Sequence, residues 1–140
     1  MSLYLDASII LPLFVNEPNS VTVNQLLSAA QVEFWVSEFA ATEVASALSR
    51  LVRMGYLTTE TAQARLIDLD LWRAGQTNAV EIEASDVHAA SAIVRRFDLK
   101  LRAPDALHIA ICRRLDSTLA TLDKRLAFAA KALDVDMAPV

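Results

Sequence analysis

Leu3-Tyr4-Leu5-Asp6-Ala7-Ser8-Ile9-Ile10 is an apolar run that climbs to one carboxylate, a small residue and a hydroxyl, then turns apolar again. Short apolar runs closed by turn-type residues read as buried strands. Desolvating a carboxylate inside such a strand costs several kcal/mol or more unless it is paired or bound to a metal. Asp6 therefore belongs at the carboxyl end of a first strand, the edge at which open α/β sheets hold their ligands.

The surrounding composition fits one α/β domain over residues 1–140. The chain is 54% hydrophobic with only two glycines, which argues for a compact, helix-rich globule and against disorder. A net charge of −4 excludes a large basic face for tight non-specific nucleic-acid binding, though not a local basic rim. The one cysteine, Cys112, has no intrachain partner, in keeping with a reducing compartment and a buried, inert thiol. The N-terminus lacks a basic region ahead of its apolar run, and no apolar stretch reaches membrane-spanning length. The expectation is a cytoplasmic protein without a membrane segment.

Strands alternate with helices along the chain. After the first strand, Pro12 limits the helix from Ser8 to a short one. Asn16 to Ser20 is a turn, with Asn19 or Ser20 as cap of a second helix. Gln31–Ser37, rich in β-branched and aromatic residues, reads as strand two. Ser37 caps a long helix ended by Gly55, and a further helix runs to about Trp72. Gly75–Asn78 breaks the chain before a weaker third strand over Ala79–Glu83. Ser85 caps a helix from Asp86 to Phe97, and Asp98–Ala103 is a basic loop. Pro104 opens a helix to Leu115. Ser117–Leu122 is strand four, Asp123–Leu133 a helix, and Val135–Met137 a short last strand.

Of the seventeen acids, four stand where a carboxylate is costly. Asp6 and Asp123 end strands one and four. Asp105 opens a helix that is apolar nearly all round, whose polar stripe is Asp105, His108 and Cys112. Glu43 lies among Ala40, Ala41, Val44, Ala45 and Ala47. Each has an ordinary explanation when taken singly: a strand-end hydrogen bond for Asp6, a helix N-terminus for Asp105, an N-cap for Asp123, and pairing with Arg50 or Arg53 for Glu43. Taken together, carboxylates at two strand ends and on two buried helices converge on one pocket. Their mutual repulsion raises their pKa values and a divalent cation relieves it. Oxygen donors with retained waters suit Mg²⁺ or Mn²⁺, while one cysteine and two unpaired histidines disfavour zinc. Such a centre performs phosphoryl chemistry.

Four motifs in order, Leu5-Asp6-Ala7-Ser8, Glu43-Val44-Ala45-Ser46-Ala47-Leu48, Pro104-Asp105-Ala106-Leu107-His108-Ile109-Ala110 and Thr121-Leu122-Asp123-Lys124-Arg125-Leu126, resemble the PIN-domain ribonucleases, most closely the VapC-type toxins of bacterial toxin–antitoxin pairs. The resemblance covers essentially the whole chain. It implies a mainly parallel five-stranded sheet sandwiched by helices. It implies an RNA substrate cleaved by a metal-activated water, with Asp6, Glu43, Asp105 and Asp123 as the catalytic and Mg²⁺- or Mn²⁺-binding acids. Ser8 and Thr121 match hydroxyl positions lining that pocket. The resemblance also implies a homodimer neutralised by a small antitoxin protein, one of whose basic residues enters the pocket.

Other roles follow from position. Lys100, Arg102, Lys124 and Arg125 adjoin two of the acids and are candidate rim cations for RNA, against ordinary surface charge. His108, one turn from Asp105, is assigned to packing ahead of general-base work. Tyr4 and Trp35 are assigned to the core ahead of base stacking, and the Arg95-Arg96 and Arg113-Arg114 pairs to the surface. The hairpin from Ser37 to Trp72 is the expected dimer face. Two other readings compete: a metal-dependent phosphohydrolase, opposed by Ser8 standing where its second aspartate would be, and a non-catalytic binding scaffold, opposed by the intact set of four acids.

Overall fold

The computed structural model describes residues 1–140. Its elements are β1 (Ser2–Leu5), α1 (Ala7–Phe14), α2 (Ser20–Ala29), β2 (Glu33–Ser37), α3 (Glu38–Arg53), α4 (Thr59–Gln76), β3 (Asn78–Val80), α5 (Ala84–Val94), a 3₁₀ turn (Phe97–Leu99), α6 (Ala103–Leu115), β4 (Thr118–Ala120) and α7 (Lys124–Ala132). The sheet has four parallel strands in the order β3-β2-β1-β4. The expected fifth strand shrinks to one bridge, between Leu119 and Met137. Leu119 N–H bonds the Asp136 carbonyl at 2.8 Å, and Ala138 N–H bonds the Leu119 carbonyl at 2.9 Å. Asp134, at φ 57°, turns the chain just before this pairing and leaves it little length in which to grow.

Side-chain alternation on the strands divides the core into two layers. Leu3, Leu5, Val36 and Ala120 point to one face and pack with Ile9, Val44, Leu48 and Leu69 from α1, α3 and α4. Tyr4, Val80 and Leu119 point to the other and pack with Ile93, Ile109 and Leu126 from α5, α6 and α7. The helices thus cover both faces, as a parallel sheet requires. On α6, Ala106, His108, Ile109, Ala110, Ile111 and Cys112 are all buried, which accounts for its apolar circumference.

Local chemistry sets most boundaries. The Ser37 hydroxyl accepts the Ala40 N–H and starts α3. Gly55, at φ 79°, follows its end in the left-handed region glycine tolerates best. Several expected boundaries move. β2 starts at Glu33, not Gln31, and β3 covers Asn78–Val80, not Ala79–Glu83. β4 is confined to Thr118–Ala120. α4 runs through Gly75 to Gln76, because a glycine costs a long helix only about 1 kcal/mol. α5 is capped by Glu83, not Ser85: the Glu83 and Asp86 side chains and backbones satisfy each other in a capping box, and the helix ends at Val94.

Candidate active site

β1 and β4 are neighbours, with Leu5 opposite Ala120, so Asp6 and Thr121 leave the sheet side by side at its carboxyl edge. The Asp6 N–H bonds the Ala120 carbonyl at 3.3 Å. Thr121 Oγ1 donates to Asp6 Oδ2 at 2.5 Å, and Ser8 Oγ donates to Oδ1 at 2.6 Å. The Ile9 N–H reaches Oδ1 at 3.2 Å, making Asp6 the N-cap of α1 as well. Both hydroxyls in turn accept backbone N–H groups, Ser8 from Leu122 at 2.8 Å and Thr121 from Asp123 at 3.0 Å. This arrangement ties the β1 and β4 ends together and leaves Asp6 only 4% exposed. Burial pushes the Asp6 carboxyl above its ordinary pKa, against the lowering effect of the Ser8 and Thr121 hydrogen bonds. No lysine or arginine pairs with it.

Asp105 stands in the first turn of α6, whose N-terminus faces the same edge, and is buried. Burial raises its pKa, and the charges of Asp123 and Glu43 raise it further, while Arg102 acts against them. Asp123 caps α7: its Oδ1 accepts the N–H groups of Arg125 at 2.9 Å and Leu126 at 3.1 Å. The capping role read from sequence thus coexists with a place beside Asp105.

Glu43 is half-buried and makes no ion pair with Arg50 or Arg53. Its partner is His108, whose Nε2 bonds Oε1. His108 Nδ1 lies 2.7 Å from the Tyr4 hydroxyl, which lies 2.9 Å from Ser37 Oγ. A carboxylate only accepts, so His108 Nε2 carries the proton. Nδ1 then accepts from Tyr4, Tyr4 accepts from Ser37, and Ser37 accepts from the Ala40 N–H. In this one direction every buried hydrogen in the chain has an acceptor. Burial pushes the Tyr4 phenol far above its ordinary range, keeping it a donor. His108 is therefore more than packing: it orients Glu43. The third member of its stripe, Cys112, points elsewhere, to the Ser117 carbonyl at 2.9 Å, and burial pushes its thiol up to about 12.

Sequence reasoning missed a fifth costly acid. Asp86 is 2% exposed. Arg114 grips it with two parallel bonds of 2.8 Å, Nε to Oδ1 and Nη2 to Oδ2. That guanidinium holds the Asp86 carboxyl below its usual range. Arg114, assigned to the surface from sequence, is a structural ion-pair residue that also reaches Glu83 at 3.2 Å. The Glu83-x-x-Asp86 spacing was the signal available in sequence, as a capping box.

The acids fit a hard cation in donor chemistry, since all are oxygens and Asp105 is burdened by two neighbouring negative charges. They do not form a tight cage: no three His, Cys, Asp or Glu side chains stand close enough to grip a metal together.

Comparison with known proteins agrees with this architecture. The family model described as PIN domain matches residues 3–132. Ribonuclease VapC3 of Pyrobaculum aerophilum is 32% identical over 127 residues, 91% of this chain and 93% of that protein. Among solved structures, VapC20 of Mycobacterium tuberculosis, a Sarcin-Ricin loop cleaving toxin, superposes with a TM-score of 0.73 at 16% identity, covering 91% of this chain and 94% of that one. The FitAcB structure from Neisseria gonorrhoeae gives a TM-score of 0.71 at 19% identity over 98% and 96% of the two chains. At such identities the structural likeness speaks for the fold.

Proposed function

This chain belongs to the PIN-domain family, and from that membership we propose that it is a metal-dependent endoribonuclease, the toxin of a toxin–antitoxin pair. The observation that carries the reading is Asp6, a buried carboxylate held by two hydroxyls and an N–H with no cationic partner, at the edge where Asp105 and Asp123 also stand. One or two of Asp6, Asp105, Asp123 and Glu43 would hold Mg²⁺ or Mn²⁺ directly, and the others through its retained waters. Bound there, the ion supplies polarisation of the phosphodiester and an activated water. The protein's own contribution is orientation. Ser8 and Thr121 fix both Asp6 oxygens, and the Ser37–Tyr4–His108 chain fixes one oxygen of Glu43, leaving Oε2 without a side-chain partner. The α6 and α7 N-termini support the charges of Asp105 and Asp123.

The working assembly we infer is a homodimer in the cytoplasm, bound and silenced by a small antitoxin protein whose basic residue would answer the acidic pocket. No helix of the chain is long and apolar enough to cross a membrane. The α3–α4 hairpin is the dimer face we favour, because it leaves Met54, Tyr56, Ile67 and Leu71 exposed. The test of the activity is cleavage of total cellular RNA by the purified, partner-free chain. Fragments that form with Mn²⁺ or Mg²⁺ and vanish with chelator support the reading. Intact RNA under every condition, with no metal binding by calorimetry, contradicts it and favours a binding scaffold.

A further inference from the structure

Arg65, Arg73, Arg96 and Arg114 each hold a carboxylate, whereas Arg50, Arg53, Arg95, Arg102, Arg113 and Arg125 hold none. Three of the six, Arg50, Arg53 and Arg102, line one groove, of about 630 Å³, together with Glu43, Ser46 and Glu17. Its floor is a single face of α3: Glu43, Ser46, Ala47 and Arg50 stand at i, i+3, i+4 and i+7. Glu43 and Arg50 are thus two helical turns apart, roughly 10 Å along the axis. Arg53 prolongs the line and bonds the Ser49 hydroxyl at 2.6 Å. Arg102 closes the groove from the opposite side, at the N-cap of α6, three residues before Asp105. Of the two carboxylates in the groove, Glu43 is engaged by His108.

We propose that this groove is the entry track for the RNA backbone, with Arg50, Arg53 and Arg102 binding the phosphates that flank the one cleaved in the acidic pocket. The inference rests on the nuclease reading and adds to it the path of the substrate. A polyanion reaching a cluster of acids needs cations immediately beside it, and three arginines that hold no carboxylate are gathered here in one groove with Glu43. The guanidinium fork matches phosphate oxygens two at a time, which a lysine cannot do. Of the basic rim expected from sequence, Arg102 belongs to this groove, while Lys124 lines a second depression beside α7, shared with Thr121, Asp123, Phe128 and Lys131.

The test is binding of a fluorescein-labelled, mixed-sequence single-stranded RNA 12-mer by fluorescence anisotropy, at a series of salt concentrations with Mg²⁺ present. All proteins carry Asp6→Asn to prevent cleavage. Adding Arg50→Ala and Arg102→Ala weakens binding about fivefold for each arginine and lowers the salt slope by about 0.7 for each phosphate no longer neutralised. Adding Arg95→Ala and Arg113→Ala, on helices away from the groove, leaves both quantities unchanged. Equal affinity and slope in the Arg50/Arg102 variant overturns the track, as does a starting protein that binds no RNA. So does loss of binding to labelled polyglutamate with RNA binding intact, which reassigns the groove to an acidic protein segment. The track and the nuclease reading fail separately. Wild-type protein that cleaves RNA with unaltered KM when Arg50 and Arg102 are removed keeps the nuclease and sinks the track. Arginine-dependent binding without cleavage keeps the track and sinks the nuclease.

Discussion

Asp6 and Asp86 are nearly equally hidden from solvent, at 4% and 2% exposure, yet the chain treats them in opposite ways. Asp86 is matched by Arg114 in a two-pronged ion pair and closes the capping box of α5. Asp6 receives only hydroxyl and amide hydrogens, so its negative charge is oriented but not balanced. The proton affinities follow: the Arg114 guanidinium pulls Asp86 down, and burial drives Asp6 up. A buried acid that the protein neutralises itself is part of the scaffold. A buried acid held in place and left unbalanced is waiting for something positive.

The largest effect should come from breaking the unbalanced partner. Asp6→Asn keeps the shape and the Oδ1 hydrogen bonds, and RNA cleavage should fall on the order of 10³-fold or more in a single-turnover assay. The fold should survive, and the thermal midpoint should rise by several degrees, because an uncompensated buried charge is gone. Retained cleavage would remove Asp6 from the chemistry.

Next comes the balanced partner. Arg114→Ala strands Asp86 in the interior and should cost about 2–3 kcal/mol by urea unfolding. That is the low end for a buried pair, because Arg114 is itself 27% exposed. Cleavage below the unfolding transition should be unchanged. Loss of activity without loss of stability would break the division between the two regions.

Thr121→Val tests the hydroxyl clamp. It removes the donor to Asp6 Oδ2 and the acceptor for the Asp123 N–H, so a stability cost of about 1–2 kcal/mol is expected. Cleavage should drop about tenfold, mainly in kcat, as Asp6 and Asp123 lose their common support. Stability lost with kcat intact would make Thr121 purely structural.

The smallest effect is in the acid limb of stability, and its sign differs between the two sites. The depressed Asp86 contributes stability that is present above its unfolded pKa and lost as pH falls through the folded value. The raised Asp6 subtracts stability at neutral pH, and this penalty fades as pH falls through its folded pKa and Asp6 takes up a proton. Urea titrations at pH 7 and pH 4 should show the Asp6→Asn advantage shrinking, while the Asp86→Asn deficit holds at pH 4 and shrinks only at more acid pH. Parallel, unchanging offsets would contradict the assignment.

Much of this contrast was legible in the residues. Asp6 at the end of an apolar run, Ser37 before an amphipathic stretch and Pro104 at a helix start are local signals, and each element formed where they placed it. What escaped was non-local. Arg114 and Asp86 are 28 residues apart, and two adjacent arginines in a last helical turn look like dipole-favoured surface charge. Glu43 finds His108 across 65 residues, not the arginines on its own helix, which point into the groove with it. The fifth strand failed for a different reason. Val135–Met137 has strand composition, but in three residues after a left-handed turn it secures one bridge. Composition proposes a strand, and pairing length decides it.

The most direct test measures two quantities on the same preparations of wild type, Asp6→Asn and Asp86→Asn: the rate of metal-dependent RNA cleavage and the thermal midpoint. The division between the two acids predicts that Asp6→Asn abolishes cleavage and raises the midpoint, while Asp86→Asn keeps cleavage and lowers the midpoint. Asp86→Asn protein that is stable but inactive, or Asp6→Asn protein that is active, would contradict it.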